Sequence, residues 1–158
     1  MKTLLAIAIL ACSLPAAQTK PNPLFEDLKK LEGRWSSEQK DHPADVTFKV
    51  SSGGSILMET MSMPNHAEMI TIYHPDGEDL ALTHYCMLGN QPRMRASKEQ
   101  KPGQIKFAAD GGTNMKPDDK HMHSMTITFV DADHIREDWT MFDGGKEQAV
   151  VSINLSRK

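Results

Sequence analysis

Apolar and polar residues alternate in short runs along most of the chain. Val46, Phe48 and Val50 are apolar, for example, and the residues between them are polar. An alternation with period two places every second side chain on one face of a β-strand. Pro-Asn, Asp-Gly, Gly-Asn and Gly-Gly pairs separate the runs and are typical of turns. The pattern predicts about ten strands, over 34–39, 46–50, 56–63, 69–74, 80–87, 93–97, 105–109, 125–129, 135–142 and 149–155.

The segment before the first predicted strand has a different spacing. Apolar residues recur at Leu24, Leu28 and Leu31, which is the spacing of one helix face. Gly33 follows and predicts the end of this short helix. No later segment shows the spacing clearly, and a polar loop is predicted over 110–120.

These elements together predict the fold class. Each strand has one apolar face, so only one side of the sheet has to be dry. Connections of hairpin length favour neighbouring antiparallel strands. We therefore predict an all-β protein, an antiparallel meander β-barrel of about ten strands with a short N-terminal helix.

The first 17 residues have the layout of a secretory signal peptide. Lys2 precedes an apolar stretch, and Ala16-Ala17 offers a small-residue cleavage site. The stretch is too short to span a bilayer as a stable anchor. We predict an exported protein, periplasmic or secreted, with no membrane span and a single folded domain over 18–158. No lipid anchor is expected on Cys12, because Leu10 fits a lipoprotein cleavage box poorly.

Composition and charge exclude several classes of protein. The 158 residues include 18 Lys and Arg against 21 Asp and Glu, a formal net charge of −3. A nucleic-acid partner is not expected, because such proteins present a basic face. Two cysteines, of which only Cys86 follows the predicted cleavage site, cannot form a disulfide framework.

A motif at the start of the first strand points to a family. The short helix leads into Gly33-Arg34-Trp35, and an antiparallel meander follows. This layout resembles the calycin superfamily, which includes lipocalins, fatty-acid-binding proteins and the haem-binding nitrobindins. The resemblance implies that Trp35 closes one end of the barrel and that a basic residue near the last element, here Arg157, lies against it.

Other family features match this sequence less closely. The run 83–94 is similar to uncharacterised exported bacterial proteins that look lipocalin-like, which implies no activity. The Arg-x-Tyr motif with which fatty-acid-binding proteins grip a carboxylate does not occur in the sequence. The late-strand haem ligand of nitrobindins has its nearest counterpart in His134, at the start of a strand.

The hairpin made by the fifth and sixth predicted strands carries several reactive groups. If residues 88–91 form its turn, Cys86 faces Arg93, His84 faces Arg95, and all four side chains share one face. Pointing inward, two guanidinium groups would bind a carboxylate, a phosphate or another anion, and the pKa of the thiol would be lowered. A slip of one residue would reverse both faces.

Two acidic residues fall on predicted apolar faces. Glu59 lies between Leu57 and Met61, and Glu137 shares a face with Trp139. Burial would raise the pKa of both carboxyl groups. Inward carboxyl groups could bind a ligand or act in acid–base catalysis.

Histidines and methionines raise the question of a metal. His121 and His123 would point the same way from a strand, as metal ligands in β-barrels do, but they need a third ligand from elsewhere. Exported Met-rich segments can bind Cu(I). Alternation puts Met61 and Met63 on one face and Met58 on the other, which favours the lining of an apolar cavity instead.

The sequence thus predicts an exported protein that binds a small hydrophobic or amphipathic molecule, with an anionic group as one option. No cofactor and no catalytic residue is predicted. A metal- or haem-binding protein and an enzyme on a lipocalin-like barrel stay open as alternatives. The predicted ligand-binding residues are His84, Cys86, Arg93, Arg95, Glu59, Glu137 and Trp139, and the weak metal candidates are His121 and His123.

Overall fold

The computed structural model describes residues 21–158. The predicted signal peptide over 1–17 and the question of a lipid on Cys12 lie outside the described residues. Within 21–158, no helix is long and apolar enough to cross a membrane.

Ten antiparallel strands form a closed barrel, as predicted, and each strand pairs with its neighbours in sequence. The last strand pairs with the first, Trp35 opposite Arg157, and this pairing closes the barrel. The architecture is consistent with a calycin-like barrel. The strands are β1 (Gly33–Ser37), β2 (Ala44–Ser51), β3 (Ile56–Ser62), β4 (Met69–Asp76), β5 (Asp79–Tyr85), β6 (Gln91–Ala96), β7 (Gln104–Thr113), β8 (His121–Phe129), β9 (His134–Asp143) and β10 (Lys146–Arg157).

One helix, α1 (Pro23–Lys29), precedes the barrel, and a short 3-10 turn (Ser52–Gly54) connects β2 to β3. Asn22 caps α1 by accepting a hydrogen bond from the backbone N–H of Phe25. Its side-chain amide also donates to the carbonyl oxygens of Glu78 and Asp79 in the β4–β5 turn. Phe25 and Leu28 are buried, so the helix closes this end of the barrel.

Trp35 lies at the same closed end, as the resemblance implied. Its indole N–H donates to the carbonyl oxygen of Leu31 at 2.8 Å, and the guanidinium of Arg157 lies 4.3 Å from the ring centre. Arg157 also donates to the carbonyl oxygens of Lys30 and Glu32. Gly33 has a φ of +135°, which only glycine adopts readily, and a Cβ there would approach Arg157 to 3.0 Å. One arginine therefore ties the last strand to the helix.

The connection between β7 and β8 differs most from the prediction. The polar loop predicted over 110–120 is shorter, because β7 continues to Thr113 and only 114–120 connect it to β8. This β7 end contains Gly111 and Gly112 opposite a register shift in β6 between Pro92 and Met94. Glycines without an apolar face give no alternation to read, so the sequence pattern missed this part of the strand.

Candidate functional site

A cavity of about 350 Å³ lies inside the barrel at the end opposite α1. Its mouth is formed by the β1–β2, β3–β4, β5–β6 and β7–β8 connections, through Asp41, His42, Met63, His66, Met87, Leu88 and Lys120. Its wall consists of Met61, Met69, Cys86, Met122, Met141, Val151 and Ile153. Polar groups appear again at the floor, where Glu59, His84 and Trp139 line it.

The wall confirms the role predicted for the methionines. Met61 and Met63 line the cavity, and Met58 lies on the other face of β3, half-buried. Met69, Met122 and Met141 complete the set on other strands. Methionine side chains are flexible and polarisable, so such a wall adapts to ligands of different shape.

The register predicted for the β5–β6 hairpin is wrong. Thr83 pairs with Arg93 and Ala81 with Arg95, three residues away from the predicted register. The connection has three residues, 87–89, in which Gly89 takes a φ of +83° and the N–H of Cys86 donates to Asn90. A three-residue loop ending in a left-handed glycine is a standard hairpin connection, and the shift of three residues places β6 on the opposite face from that predicted.

This register separates the four residues that were predicted to share one face. His84 and Cys86 point inward, a direction that the sequence had left open, and both are buried. Arg93 is exposed, and Arg95 lies on the outside of the barrel, where it forms ion pairs with Asp76, Asp79 and Asp110. Neither Arg93 nor Arg95 therefore lies beside the thiol, and burial raises the pKa of Cys86 instead of lowering it.

The floor of the cavity is a polar row across three strands. Glu59 on β3 pairs with Thr71 on β4, which pairs with His84 on β5. All three side chains are buried. Because residues paired across antiparallel strands point to the same side, the row faces the interior as a unit.

Glu59 accepts a hydrogen bond from a buried tyrosine. The phenol O–H of Tyr73, one layer closer to the helix end, donates to Oε2 of Glu59 at 2.6 Å. Burial raises the pKa of Glu59 well above its usual value, and the nearby Glu137 raises it further. Burial, followed by the charges of the two glutamates, also raises the pKa of Tyr73.

Glu137 projects from the opposite wall. The indole N–H of Trp139 donates to its Oε2 at 3.1 Å, and burial raises its pKa to about 7. Its other oxygen, Oε1, is buried and has no hydrogen-bond partner among the described residues. Both glutamates are thus buried with raised pKa values, as predicted, and they lie close enough for one charge to affect the other.

His84 presents one ring nitrogen to the wall and leaves the other without a partner. Its Nδ1 lies 3.0 Å from Oγ1 of Thr71, and its buried Nε2 has no partner among the described residues. The ring centre lies 4.7 Å from that of Trp139. Burial lowers the pKa of His84 to about 4, so the imidazole is neutral at neutral pH.

The two metal candidates lie together but away from the cavity. A register shift after Met122 turns Met122 inward and leaves His121 opposite Phe142 on the outer face. His121 is buried, its Nε2 lies 3.0 Å from Nδ1 of His123, and the ring of His123 stacks on Phe142. Over 21–158, no group of three or more His, Cys, Asp or Glu residues is arranged to hold a metal.

Sequence reasoning missed several residues of the site. Tyr73 and Thr71 lie on the inward face of β4, but neither their spacing nor their type distinguishes them from ordinary barrel residues. Met122 points inward only because of the register shift beside it. The loop residues of the mouth have no strand pattern from which a direction could be read.

Comparisons with family models and with curated proteins found no match.

Proposed function

We propose that the protein is an exported carrier of a small amphipathic molecule, built on a calycin-like barrel. The observation that supports the proposal is the cavity itself, about 350 Å³ with a thioether and aliphatic wall and polar groups confined to its floor and mouth. Sites for small molecules commonly have this composition, in which an apolar wall provides affinity and few polar groups fix orientation. The apolar part of the ligand would lie against the methionines and its polar group on Glu59 and His84.

The positions of two arginines argue against a ligand with an anionic group. The anionic option depended on Arg93 and Arg95 pointing inward, and both lie on the outside of the barrel. Of the described residues that line the cavity, Lys120 at the mouth is the only lysine or arginine.

Native mass spectrometry of the protein from its own host tests the proposal directly. We expect a non-covalent adduct of one small molecule per chain that is lost on denaturation.

N-terminal sequencing of the same preparation tests export, with Gln18 as the expected first residue. Elemental analysis and a visible spectrum test the metal and haem alternative, which a stoichiometric metal or a haem spectrum would support instead.

Neighbouring valines on β10 give a matched pair of variants. Val151 lines the cavity, and Val150 is 51% exposed on the outer face. We expect Val151→Phe to fill part of the cavity and to weaken binding of the co-purified molecule about tenfold, equivalent to about 1.4 kcal/mol. Val150→Phe should leave binding unchanged. Equal affinity in two variants that keep the circular dichroism of the parent would place the ligand outside the cavity.

A further inference from the structure

Within 21–158, no basic side chain forms a hydrogen bond or an ion pair with the two glutamates inside the barrel. Glu59 and Glu137 are buried from opposite walls, and the groups that contact them are the phenol of Tyr73 and the indole of Trp139, both neutral. His84 is buried beside them and has no charge partner. The remaining titratable groups of the cavity are Cys86 in the wall and Asp41, His42, His66 and Lys120 near the mouth.

Two unpartnered atoms belong to this cluster, one on His84, which lines the cavity, and one on Glu137, which is buried next to Trp139 and is not part of the lining. Oε1 of Glu137 and Nε2 of His84 are both fully enclosed, and neither has a hydrogen-bond partner among the described residues. Buried polar atoms in folded proteins are almost always paired, so an unpaired one needs a reason. Both residues contact Trp139, Glu137 by a hydrogen bond and His84 by ring packing, so the two atoms belong to one cluster.

We propose that the head group of the ligand is an ammonium ion and that the cavity selects amphipathic amines over alcohols and carboxylates with the same tail. The proposal rests on the carrier function proposed above and names its ligand class. An ammonium group has three donors and no acceptor. One of the two glutamates would accept from it as a carboxylate, while the other keeps its proton. Nε2 of His84 would accept in the tautomer whose Nδ1–H donates to Thr71, and the face of Trp139 would attract the cation.

Binding of the cation is coupled to loss of a proton. Before the ligand binds, burial favours the protonated form of both carboxyl groups, and the charge of Glu137 favours it further for Glu59. An ammonium ion favours the ionised form, so its entry releases a proton from the pair to solvent and leaves a charge-balanced site. Affinity for an amine should therefore increase as pH rises through neutrality, up to the pKa of the amine itself.

Three probes with one tail test the selectivity: octylamine, 1-octanol and octanoate, titrated by calorimetry into the unloaded protein at pH 6, 7 and 8. We expect octylamine to bind about tenfold or more tightly than 1-octanol at pH 8, since hydrogen bonds to charged groups contribute more than neutral ones. Octanoate should bind weakest. Titrations in two buffers with different ionisation enthalpies should show proton release for octylamine alone.

Glutamine variants identify the residues responsible. Glu59→Gln and Glu137→Gln each keep an oxygen that can accept from Tyr73 or Trp139 and remove the acid. We expect either variant to reduce the preference for octylamine and to remove its increase with pH, while affinity for 1-octanol changes little. Glu147→Gln, at an exposed position on β10, is the control and should match the parent.

The outcomes separate the two proposals. If 1-octanol or octanoate binds and octylamine binds no better, or if both glutamine variants keep the preference, the ammonium inference is wrong and the carrier function stands. If none of the three probes binds and no small molecule co-purifies, the carrier function is wrong and the ammonium inference fails with it.

Discussion

At the scale of single residues, the interior of this barrel is unusual because two carboxyl groups and an imidazole are buried in it, beside the phenol of Tyr73. Glu59, His84 and Glu137 are each less than 5% exposed. Burial disfavours the charged form of all three, so it raises the pKa of the acids and lowers that of the imidazole. The folded protein therefore holds Glu137 and His84 largely neutral near pH 6, and its stability depends on pH on both sides of that value.

The sign of this dependence differs between the two residue types. Glu137 titrates near 4.5 when unfolded and at about 7 when folded, so its contribution to stability is present below 4.5 and is lost as pH rises to 7. His84 titrates near 6.5 unfolded and at about 4 folded, so stability is lost as pH falls from 6.5 to 4. The two effects oppose each other below pH 6.5, and above it only the carboxyl effect continues.

We therefore expect the free energy of unfolding to decrease between pH 6.5 and 8, with about 1 kcal/mol of the decrease due to Glu137. Glu137→Gln should remove that part, because the amide does not titrate. Urea unfolding at pH 6.5 and 8 measures the difference, with Glu147→Gln as the matched control. The explanation is wrong if parent and Glu137→Gln lose the same free energy over this interval.

At the scale of elements, the β5–β6 hairpin decides which side chains enter the cavity. Its three-residue loop depends on Gly89, whose φ of +83° is strained for other residues. A Cβ at this position would meet no atom within 4 Å, so a substitution there tests the backbone conformation alone. The loop thus sets the register that keeps His84 and Cys86 inside and both arginines outside.

Two substitutions at Gly89 test this loop. Gly89→Val should lower the free energy of unfolding by about 1–2 kcal/mol, because a β-branched residue is strongly disfavoured at positive φ. Gly89→Asn should cost clearly less, since asparagine tolerates this region. Chemical denaturation of the two variants gives the comparison. Equal stability of Val and Asn variants would show that the loop does not hold Gly89 in the left-handed conformation.

The same hairpin shows how far the sequence could predict the site. Alternation groups His84 and Cys86 with Leu80 and Leu82 on one face, which lies inside the barrel in the structure, and it assigns Glu59 and Glu137 to apolar faces. These assignments are confirmed because each depends on one strand only.

The positions of Arg93 and Arg95 depend on the length of a turn, and the pattern of the two strands fits loops of different length. The cluster of Glu59, Tyr73 and Glu137 is a contact across the barrel, which no spacing along the chain contains.

At the scale of the whole molecule, the barrel closes at a seam between β1 and β10 that is much shorter than the pairing of β10 with β9. β9 and β10 pair from the β9–β10 turn to His134 and Ser156, with one irregularity between Glu147 and Ala149. β1 and β10 pair only at Trp35–Arg157 and Ser36–Ser156. Arg157 strengthens this short seam from the side, through Trp35 and the carbonyl oxygens of Lys30 and Glu32. The barrel is therefore closed at the point where the helix, the first strand and the last strand meet.

Hydrogen exchange should follow this difference, because segments with fewer mutual hydrogen bonds open locally at lower cost. We expect the amides of β1 and of 156–158 to exchange faster than those in the paired part of β9 and β10.

Arg157→Ala removes the cation–π contact and two hydrogen bonds, so it should accelerate exchange in β1 by about tenfold. Exchange in β5 and β6, on the far side of the barrel, should stay unchanged. Lys146→Ala, at the exposed start of β10, is the control. Uniform acceleration across all ten strands in Arg157→Ala would mean that this arginine stabilises the barrel globally, since local opening at the seam would affect only the strands that form it.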